Sequence, residues 1–576
     1  MIDAEKILQE TYPDLQLKKN RKLLLRILKS VLHQDDFNDV ISKNRHLRGF
    51  AFLDKLLVDY FKFSYQVSPE SFRNIPSEGR LLIVANHPIG TLDGLALVKL
   101  VRSVRPDVRI VANQVLNHME PLRSVFLAID VMSSKASHKA AYKIMLECLE
   151  QEQALIIFPA GEVSRLSPKG VVDGEWKSGF IKLATKAQAP VLPVFIKAKN
   201  SVLFYCASAL YKPFGTMMLV KEMFNKNNRE IKFIVGEPVA PQSFESTALN
   251  KKQLAKKFRK HTLNLAKKSK PPLFSTVQTV IHPVDTKALK KALYQSQLLG
   301  ETKDGKKIFL YEYQDDCPVM REIGRLRELT FRTVEEGTGT PLDVDKYDCY
   351  YSQLVLWDDH DLEIVGAYRI GEGKKIMETY GVEGFYTHSL FNLQSEFEAY
   401  LPYSIELGRS FVQPRYWGQR SLDYLWYGIG AYLRENPHIK YMFGPVSISS
   451  AYPQMAKEVI CGFYKQQFGS DLGLAKAKQP FIVSEQTQAL VDTEFQGDYK
   501  TSFKVLNSEL KKLGVKVPIL YKQYVELCTD NGCHFIDFNI DPEFNNCIDS
   551  LVMIELDKIT QKKRTRYIEN TFGQFA

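Results

Sequence analysis

The sequence predicts an α/β protein with two domains in series, and three observations carry that expectation. The chain has 576 residues, more than one ordinary core accommodates and enough for about two to four domains. From about residue 80, short apolar runs alternate with helical stretches, and a second strand-rich region follows after about residue 300. Such alternation argues for sheets that are at least partly parallel, with helices on their faces.

The apolar runs LLIVAN (81–86), VRIVAN (108–113), ALIIFP (154–159), VLPVFI (191–196) and IKFIVG (231–236) are the expected strands of the first region. DGLALVKLVRSV and HKAAYKIMLECLEQE are helical stretches between them. Upstream, residues 5–45 predict helix, because Leu23, Leu24, Ile27, Leu28, Val31 and Leu32 recur at helical spacing. Phe50 to Tyr65 form a second amphipathic stretch. These helices either pack on the domain or lie in a membrane interface with lysines flanking an aromatic face. Residues 1–66 are thus expected to be helical and 67–250 to form the first α/β domain. Residues 251–300, Lys-rich and broken by Pro271 and Pro272, are expected to connect it to a second. That second domain, 301–557, has candidate strands QLVLWD (353–358), LEIVGAYRI (362–370) and SIELGRSFV (404–412), then a helix after 420. Its end, DPEFNNCIDSLVMIEL, still bears a strand, and 558–576 form a loosely held basic tail.

Composition, 45% hydrophobic and 25% charged, is that of a globular protein. The opening MIDAEKILQETYPDL lacks the plan of a signal peptide. No run approaches the roughly 18–20 apolar residues that span a bilayer. The eight cysteines are scattered without CxxC spacing, which suits reduced thiols in a cytoplasm and neither disulfides nor a metal site. The net charge of +11 is unevenly placed. Lys18, Lys19, Arg21 and Lys22 form one cluster, Lys251 to Lys270 a second, and Lys562, Lys563, Arg564 and Arg566 a third. Such patches suit lipid headgroups or an acidic carrier protein. No nucleic-acid fingerprint accompanies them, so nucleic acid is not an expected partner.

Asn86-His87-Pro88 ends the strand LLIVAN, and Asp93-Gly94 opens the following helix. Asp93 could simply cap that helix. A histidine and a carboxylate joined by a Gly-containing loop can also face one another. The carboxylate then holds one imidazole nitrogen, and the other takes a proton from an acceptor hydroxyl. FPAGEVS (158–164), WKSGFIKLA (176–184) and APVLPVFI (189–196) follow in order. With these blocks, residues of about 50–240 resemble the glycerolipid acyltransferase family. The resemblance implies His87 as general base and Asp93 as its partner. It implies Asn86, Gly161, Glu162, Ser164, Arg165 and Lys177 around the acceptor, with acyl-acyl carrier protein or acyl-CoA as donor and no bound cofactor. Two departures stand out. Five residues separate His87 from Asp93 where four are usual, a difference Gly90 can absorb. FPAGEVS also has Val163 where the family usually places an arginine that clamps the acceptor's phosphate. An acceptor hydroxyl without a neighbouring phosphate is therefore expected, unless Arg165 substitutes.

In the second half, LDVDKYD (342–348), EIVGAYRIG (363–371) and IELGRSFVQPRYW (405–417) place Asp345, Asp348, Arg369, Glu406 and Arg409 in or beside strands. Strand charges ordinarily face solvent, and Glu406 and Arg409 lie on opposite faces of an ideal strand. A splay or bulge is needed for both to reach one pocket. With YTHSLF, GPVSIS and DPEFN, residues 305–557 resemble the GNAT-like N-acyltransferases that use acyl carrier proteins, ornithine lipid synthases above all and acyl-homoserine lactone synthases more distantly. The resemblance implies that Glu406 accepts the amine proton, and that Asp345, Asp348, Arg369 and Arg409 shape the substrate site. QPRYWGQR (413–420) is poor in glycine for a pyrophosphate loop, which suits a phosphopantetheine carrier.

Together the halves resemble bifunctional ornithine lipid synthases. The implied activity is N-acylation of an amino acid with a 3-hydroxyacyl chain, then O-acylation of that chain's hydroxyl, on the inner face of the cytoplasmic membrane. Ornithine is the favoured amino acid; glycine, glutamine, lysine and serine stay open. The rivals are a lysophospholipid acyltransferase fused to an N-acyltransferase, and a non-catalytic membrane-surface scaffold.

Overall fold

The computed structural model describes residues 29, 33–113, 119–129, 135–167, 170–210, 222, 230–267, 269–470, 473–529 and 531–569. The basic cluster at 18–22 and the helical positions 23–32 expected above lie outside these residues. The chain forms two compact units, Met1–His282 and Pro283–Ala576.

The first unit is built on a seven-stranded sheet. Its order is Ser64–Val67, Glu230–Val235, Val191–Lys197, Leu81–Ala85, Ala154–Ile157, Val108–Asn113, Phe126–Ile129. The last five strands are parallel to their neighbours, while Glu230–Val235 runs antiparallel to Val191–Lys197. Leu81–Ala85 lies mid-sheet and is buried throughout, because both sheet faces are covered and an unbroken apolar run satisfies both. Leu81, Ile83 and Ala85 join one core and Leu82 and Val84 the other, the period of two expected of a strand. The five expected strands all form. Phe126–Ile129 and Ser64–Val67 were not legible, the latter because it falls inside the amphipathic stretch 50–65.

That stretch settles the alternative left open for it. Helix Gly49–Asp54 continues as a π-helical turn, Lys55–Tyr60. Phe52, Leu53, Leu56, Leu57 and Phe61 are buried in this unit's core together with Phe37, Val40 and Ile41. The apolar face is spent on packing and is not presented to a membrane interface. Among the described residues no helix is long and apolar enough to cross a membrane.

The expected connector 251–300 is also corrected. Asn250 and Gln253 form a capping box at the start of helix Lys251–Asn264. Leu254, Ala255 and Phe258 enter the first unit's core at helical spacing while the lysines face away. Phe258 stacks on Phe274 at 4.2 Å, just after the two prolines. Downstream, helix Thr286–Leu293 buries Leu289 and Leu293 in the second unit. The segment is thus divided between two cores, and its charge conceals an amphipathic helix.

The second unit carries an eight-stranded sheet. Its order is Gln297–Glu301, Lys307–Tyr311, Ser352–Asp358, Glu363–Glu372, Ser404–Val412, Tyr441–Ile448, Cys547–Glu555, Cys533–Asp541. Every pairing is antiparallel except Ser404–Val412 with Tyr441–Ile448. Leu354 and Leu356 face the core containing helix Ser421–Glu435, and Val355 and Trp357 the one containing helix Pro318–Thr333. The basic tail is held more firmly than expected: Tyr567 Oη donates to Asp423 Oδ1 at 2.7 Å, and a Cβ at Gly430 would collide with Tyr567 O. Residues 570–576 lie outside the described set.

Candidate active sites

In the first unit, Leu81–Ala85 delivers Asn86 and His87 at its carboxyl end, where parallel α/β sheets place their sites. Gly90 then adopts φ 92°, ψ −138°, a conformation open to glycine and closed to ordinary L-residues. This turn absorbs the fifth loop residue and starts helix Thr91–Arg102 with Asp93 in its first turn. His87 Nδ1 lies 2.9 Å from Asp93 Oδ1, at ion-pair distance but without the straight alignment of a hydrogen bond. Asp93 Oδ2 accepts the Ile89 amide at 2.9 Å. Gly90, and not Asp93, is the N-cap of this helix, so the capping role considered for Asp93 is corrected: its carboxylate instead ties the preceding loop to the first turn. One oxygen secures the helix entry and the other faces the imidazole.

The His87 ring stacks on Phe158 with centroids 4.0 Å apart. Gly94 permits this, since a Cβ there would meet Ile110 at 3.1 Å and the Phe158 ring at 3.4 Å. Burial works to lower the imidazole pKa, but the carboxylates of Asp93 and Asp173 more than offset it and leave His87 raised. Asp173 went unrecognised in the sequence. It is buried, accepts the His87 amide at 3.1 Å and the Ser164 hydroxyl at 2.7 Å through Oδ1, and takes the Trp176 indole N–H through Oδ2. Its position before Trp176, in DGEW, was the available signal.

The remaining expected acceptor residues divide. Gly161, at φ 69°, and exposed Lys177 share the mouth, where a Cβ on Gly161 would meet Lys177 Nζ at 3.2 Å. Asn86 is buried and spends its amide on the Ile196 backbone, donating at 3.0 Å and accepting at 2.7 Å. Ser164 is buried against Asp173 and the His87 carbonyl. Asn86 thus ties its strand end to the neighbouring strand, and Ser164 ties to the His87 backbone. Arg165 is held by Glu162 at 3.1 Å and by Ser208 Oγ. Val163 is buried in a small apolar cluster with Phe204 and Tyr205.

In the second unit the strand charges turn inward. Arg369, Glu406 and Asp348 are all buried. Arg369 Nη1 donates to Asp345 Oδ1 at 2.7 Å, and Arg327 Nη1 to Asp348 Oδ1 at 2.9 Å. Arg409 Nη2 donates to Asp345 Oδ2 at 3.3 Å. Burial alone would raise Asp345 and Asp348, yet the guanidiniums of Arg369 and Arg327 hold both below the usual carboxylate range. Arg327 and Asp343, also buried in this network, were missed. Helix Pro318–Thr333 gave no strand context in which Arg327 would stand out.

The bulge required by the spacing is present. Arg369 pairs with Gly408 while Ala367 pairs with Phe411, so one extra residue is looped out at Arg409–Ser410. Arg409 has φ 49°, a left-handed conformation unusual outside glycine and found where function requires it. Strand Ser404–Val412 pairs with Tyr441–Ile448 only as far as Glu406 with Phe443. Beyond that point the two strands part. A cavity of about 120 Å³ lies in the gap, lined by Leu407, Gly408 and Arg409 on one strand and Pro445, Val446 and Ser447 on the other. Glu336 and Asp549 also line it.

Glu406 does not face this cleft. Oε1 accepts the Thr387 amide at 2.6 Å and the Thr387 hydroxyl; Oε2 accepts the Tyr386 amide at 3.1 Å and the Tyr351 hydroxyl. A carboxylate with four donors has no free lone pair directed at an amine. The expectation that Glu406 takes the amine proton is therefore corrected: it anchors the loop that sets Tyr386 beside the cleft. Of the five charged residues expected at the substrate, Arg409 alone lines it. Among the described residues no group of three or more histidine, cysteine, aspartate or glutamate side chains could hold a metal ion.

Comparison with known proteins defines the class: an acyltransferase. The acyltransferase family profile matches residues 6–270, and the acetyltransferase (GNAT) domain profile matches 326–427. The chain is 33% identical to the glycine Nα-acyltransferase of Phocaeicola vulgatus, over 52% of this chain and 95% of that protein. It is 29% identical to the lyso-glycine lipid O-acyltransferase of Bacteroides thetaiotaomicron, over 43% of this chain and 91% of that protein. The L-ornithine Nα-acyltransferase of Brucella abortus is 31% identical, over 23% of this chain and 46% of that protein. The chain belongs to the amino-acid N-acyltransferase family that includes the glycine enzyme, joined to an N-terminal acyltransferase domain.

Proposed function

We propose that the chain makes an aminoacyl lipid by two successive transfers. The second unit joins a 3-hydroxyacyl chain to the α-amine of an amino acid, and the first esterifies the hydroxyl of that chain. The observation that carries this reading is the coexistence of the His87–Asp93 pair and the splayed-strand cleft in one polypeptide. Relatives bearing an N-acyltransferase name and an O-acyltransferase name support it, each matching about half the chain. Glycine is favoured over ornithine as the amine by the fuller match, and an acyl-acyl carrier protein or acyl-CoA would be the donor. Placing both sites on one chain keeps the lyso-lipid at high effective concentration for the second step. Work on a membrane-surface substrate suits the net positive charge.

In the first step an amine must be delivered unprotonated to a thioester carbonyl held in the cleft. In the second, His87 takes the hydroxyl proton as the oxygen attacks a second thioester, and returns it to the departing thiolate as the C–S bond breaks. Asp93 steadies the imidazolium that results. Lipid mass spectrometry of a host expressing the chain tests the scheme. The intact chain should yield mono- and diacylated amino acid, and His87→Ala the monoacylated form alone. Diacylated product from the His87→Ala chain would overturn the assignment of the second step.

A further inference from the structure

We propose that Glu336 is the general base of the N-acyl cleft and that Asp549 lies beside it to keep it basic; this rests on the N-acyltransferase reading above. Both carboxyls line the cavity between the parted strands. Glu336 follows helix Pro318–Thr333, and its side chain accepts no hydrogen bond among the described residues. Asp549 sits on strand Cys547–Glu555 and accepts the Ser447 hydroxyl at 2.7 Å. Glu406, by contrast, has every acceptor position filled and lies outside the cavity. A base must reach the proton it abstracts with a free lone pair, and within the cleft Glu336 meets that requirement.

The surroundings suit the task. Burial, then the neighbouring Asp549 charge, pushes the Glu336 carboxyl up to about 8. Burial and the charge of Asp541 raise Asp549 to about 7, against the Ser447 hydrogen bond and Arg409. The other titratable or charged groups facing this corner are Arg409, Tyr368, Tyr386, Tyr452, Tyr524 and Cys547. Among the described residues Arg409 is the one cation lining the cavity, so an amino acid could set its carboxylate toward Arg409 and its ammonium toward the two acids.

The step balances as follows. One ammonium N–H bond breaks and its proton passes to Glu336. The freed pair forms the C–N bond at the thioester carbonyl, and the C–S bond breaks. A second amine proton goes to the leaving thiolate, giving free thiol, while Glu336 returns the first proton to water.

The test is the pH dependence of kcat for the full chain, with glycine and ornithine as amines and a 3-hydroxyacyl pantetheine thioester as donor. Thiol release and N-acyl product are both followed. The intact chain should show kcat rising with pH, with the midpoint of the limb near pH 8 and the plateau above it. Glu336→Gln should lower kcat about 100-fold at pH 7, flatten that limb and leave the thioester KM unchanged. Asp549→Asn should keep the limb and move it to lower pH, because the charge that raises Glu336 is gone. Should Glu336→Gln fail to fold by thermal melting, Glu336→Asp replaces it, with the limb retained and the plateau lowered. A limb and rate in Glu336→Gln matching the intact chain would overturn the proposal while leaving N-acylation standing. No N-acyl product from the intact chain with either amine would overturn both.

Discussion

Asp93 divides its carboxylate between His87 and the helix it opens: Oδ1 lies 2.9 Å from His87 Nδ1, and Oδ2 accepts the Ile89 amide at 2.9 Å. Asp93→Asn removes the charge that steadies a protonated imidazole but can still accept the amide. O-acylation should fall by about 10²- to 10⁴-fold with little loss of folding stability. N-acylation by the same protein should be unchanged. Separate assays of the two products, beside a urea melt, check this.

The His87 pKa gives the O-acylation step a definite pH profile. A general base must be neutral to accept a proton, and the charges of Asp93 and Asp173 raise His87 above its ordinary 6.5 against the effect of burial. Activity should therefore decline as pH falls through that raised value. In Asp173→Asn the limb should move to lower pH, because one of the anions favouring imidazolium is gone. A limb that stays in place in Asp173→Asn would show that Asp173 does not act on His87 electrostatically.

A second histidine sets an acid limit on stability. Burial, then the charge of Lys257, lowers His261 to about 4, and its Nδ1 accepts the Leu273 amide at 3.1 Å. Between about pH 6.5 and 4 the unfolded chain binds a proton that the folded chain refuses. This histidine thus opposes folding increasingly as pH falls through that window. The span of about 2.5 pH units corresponds to roughly 3 kcal/mol. His261→Gln should flatten that part of the urea-midpoint profile, with neutral-pH stability changed by about 1 kcal/mol for the altered hydrogen bond.

How much of this was visible in the sequence depends on the kind of signal. The strand ending in Asn86-His87 was legible because mid-sheet burial demands an unbroken apolar run. Ser64–Val67 was not, because the apolar residues preceding it continue a helical period. The linker expectation failed at Leu254, Ala255 and Phe258, whose spacing was masked by the six lysines and arginines of the same helix. A bulge between Glu406 and Arg409 was weighed as the means of bringing both to one pocket; the bulge exists, but Arg409 alone reaches the cleft. The role of Glu406 was beyond reach, since its four donors come from Tyr351, Tyr386 and Thr387, remote in sequence. Glu336 was missed for the same reason, while Asp173 had the weak signal of its place in DGEW. Only the fold brings them to their sites.

The buried charge network around Arg369 should be costly to break. Arg327 pairs with Asp348 with both side chains fully buried, and Arg369 bridges Asp345 and Asp348. Removing one partner strands a charge in a low-dielectric site, at about 3–5 kcal/mol. Arg327→Met should therefore lower the stability of the second unit by that amount in urea denaturation. Its N-acylation should be lost through unfolding, while the His87-dependent step in the first unit persists.

Position 163 decides whether the acceptor reading can be reversed by a single change. In the sequence, Val163 stands where the resemblance to glycerolipid acyltransferases leads one to expect a phosphate-clamping arginine. In the structure it is buried in an apolar cluster with Phe204 and Tyr205. Val163→Arg would place a guanidinium among apolar side chains, or force the 158–164 loop to turn outward. Burying an unpaired charge costs several kcal/mol, so the variant should melt earlier. It should not gain transfer to lysophosphatidate, because a displaced loop also loses the Ser164 amide bond to the His87 carbonyl, now 2.7 Å. Thermal melting and acyl transfer to lysophosphatidate measure the two outcomes. Robust transfer to that acceptor in a stably folded Val163→Arg protein would show that the missing arginine, and not the shape of the loop, selects against phosphate.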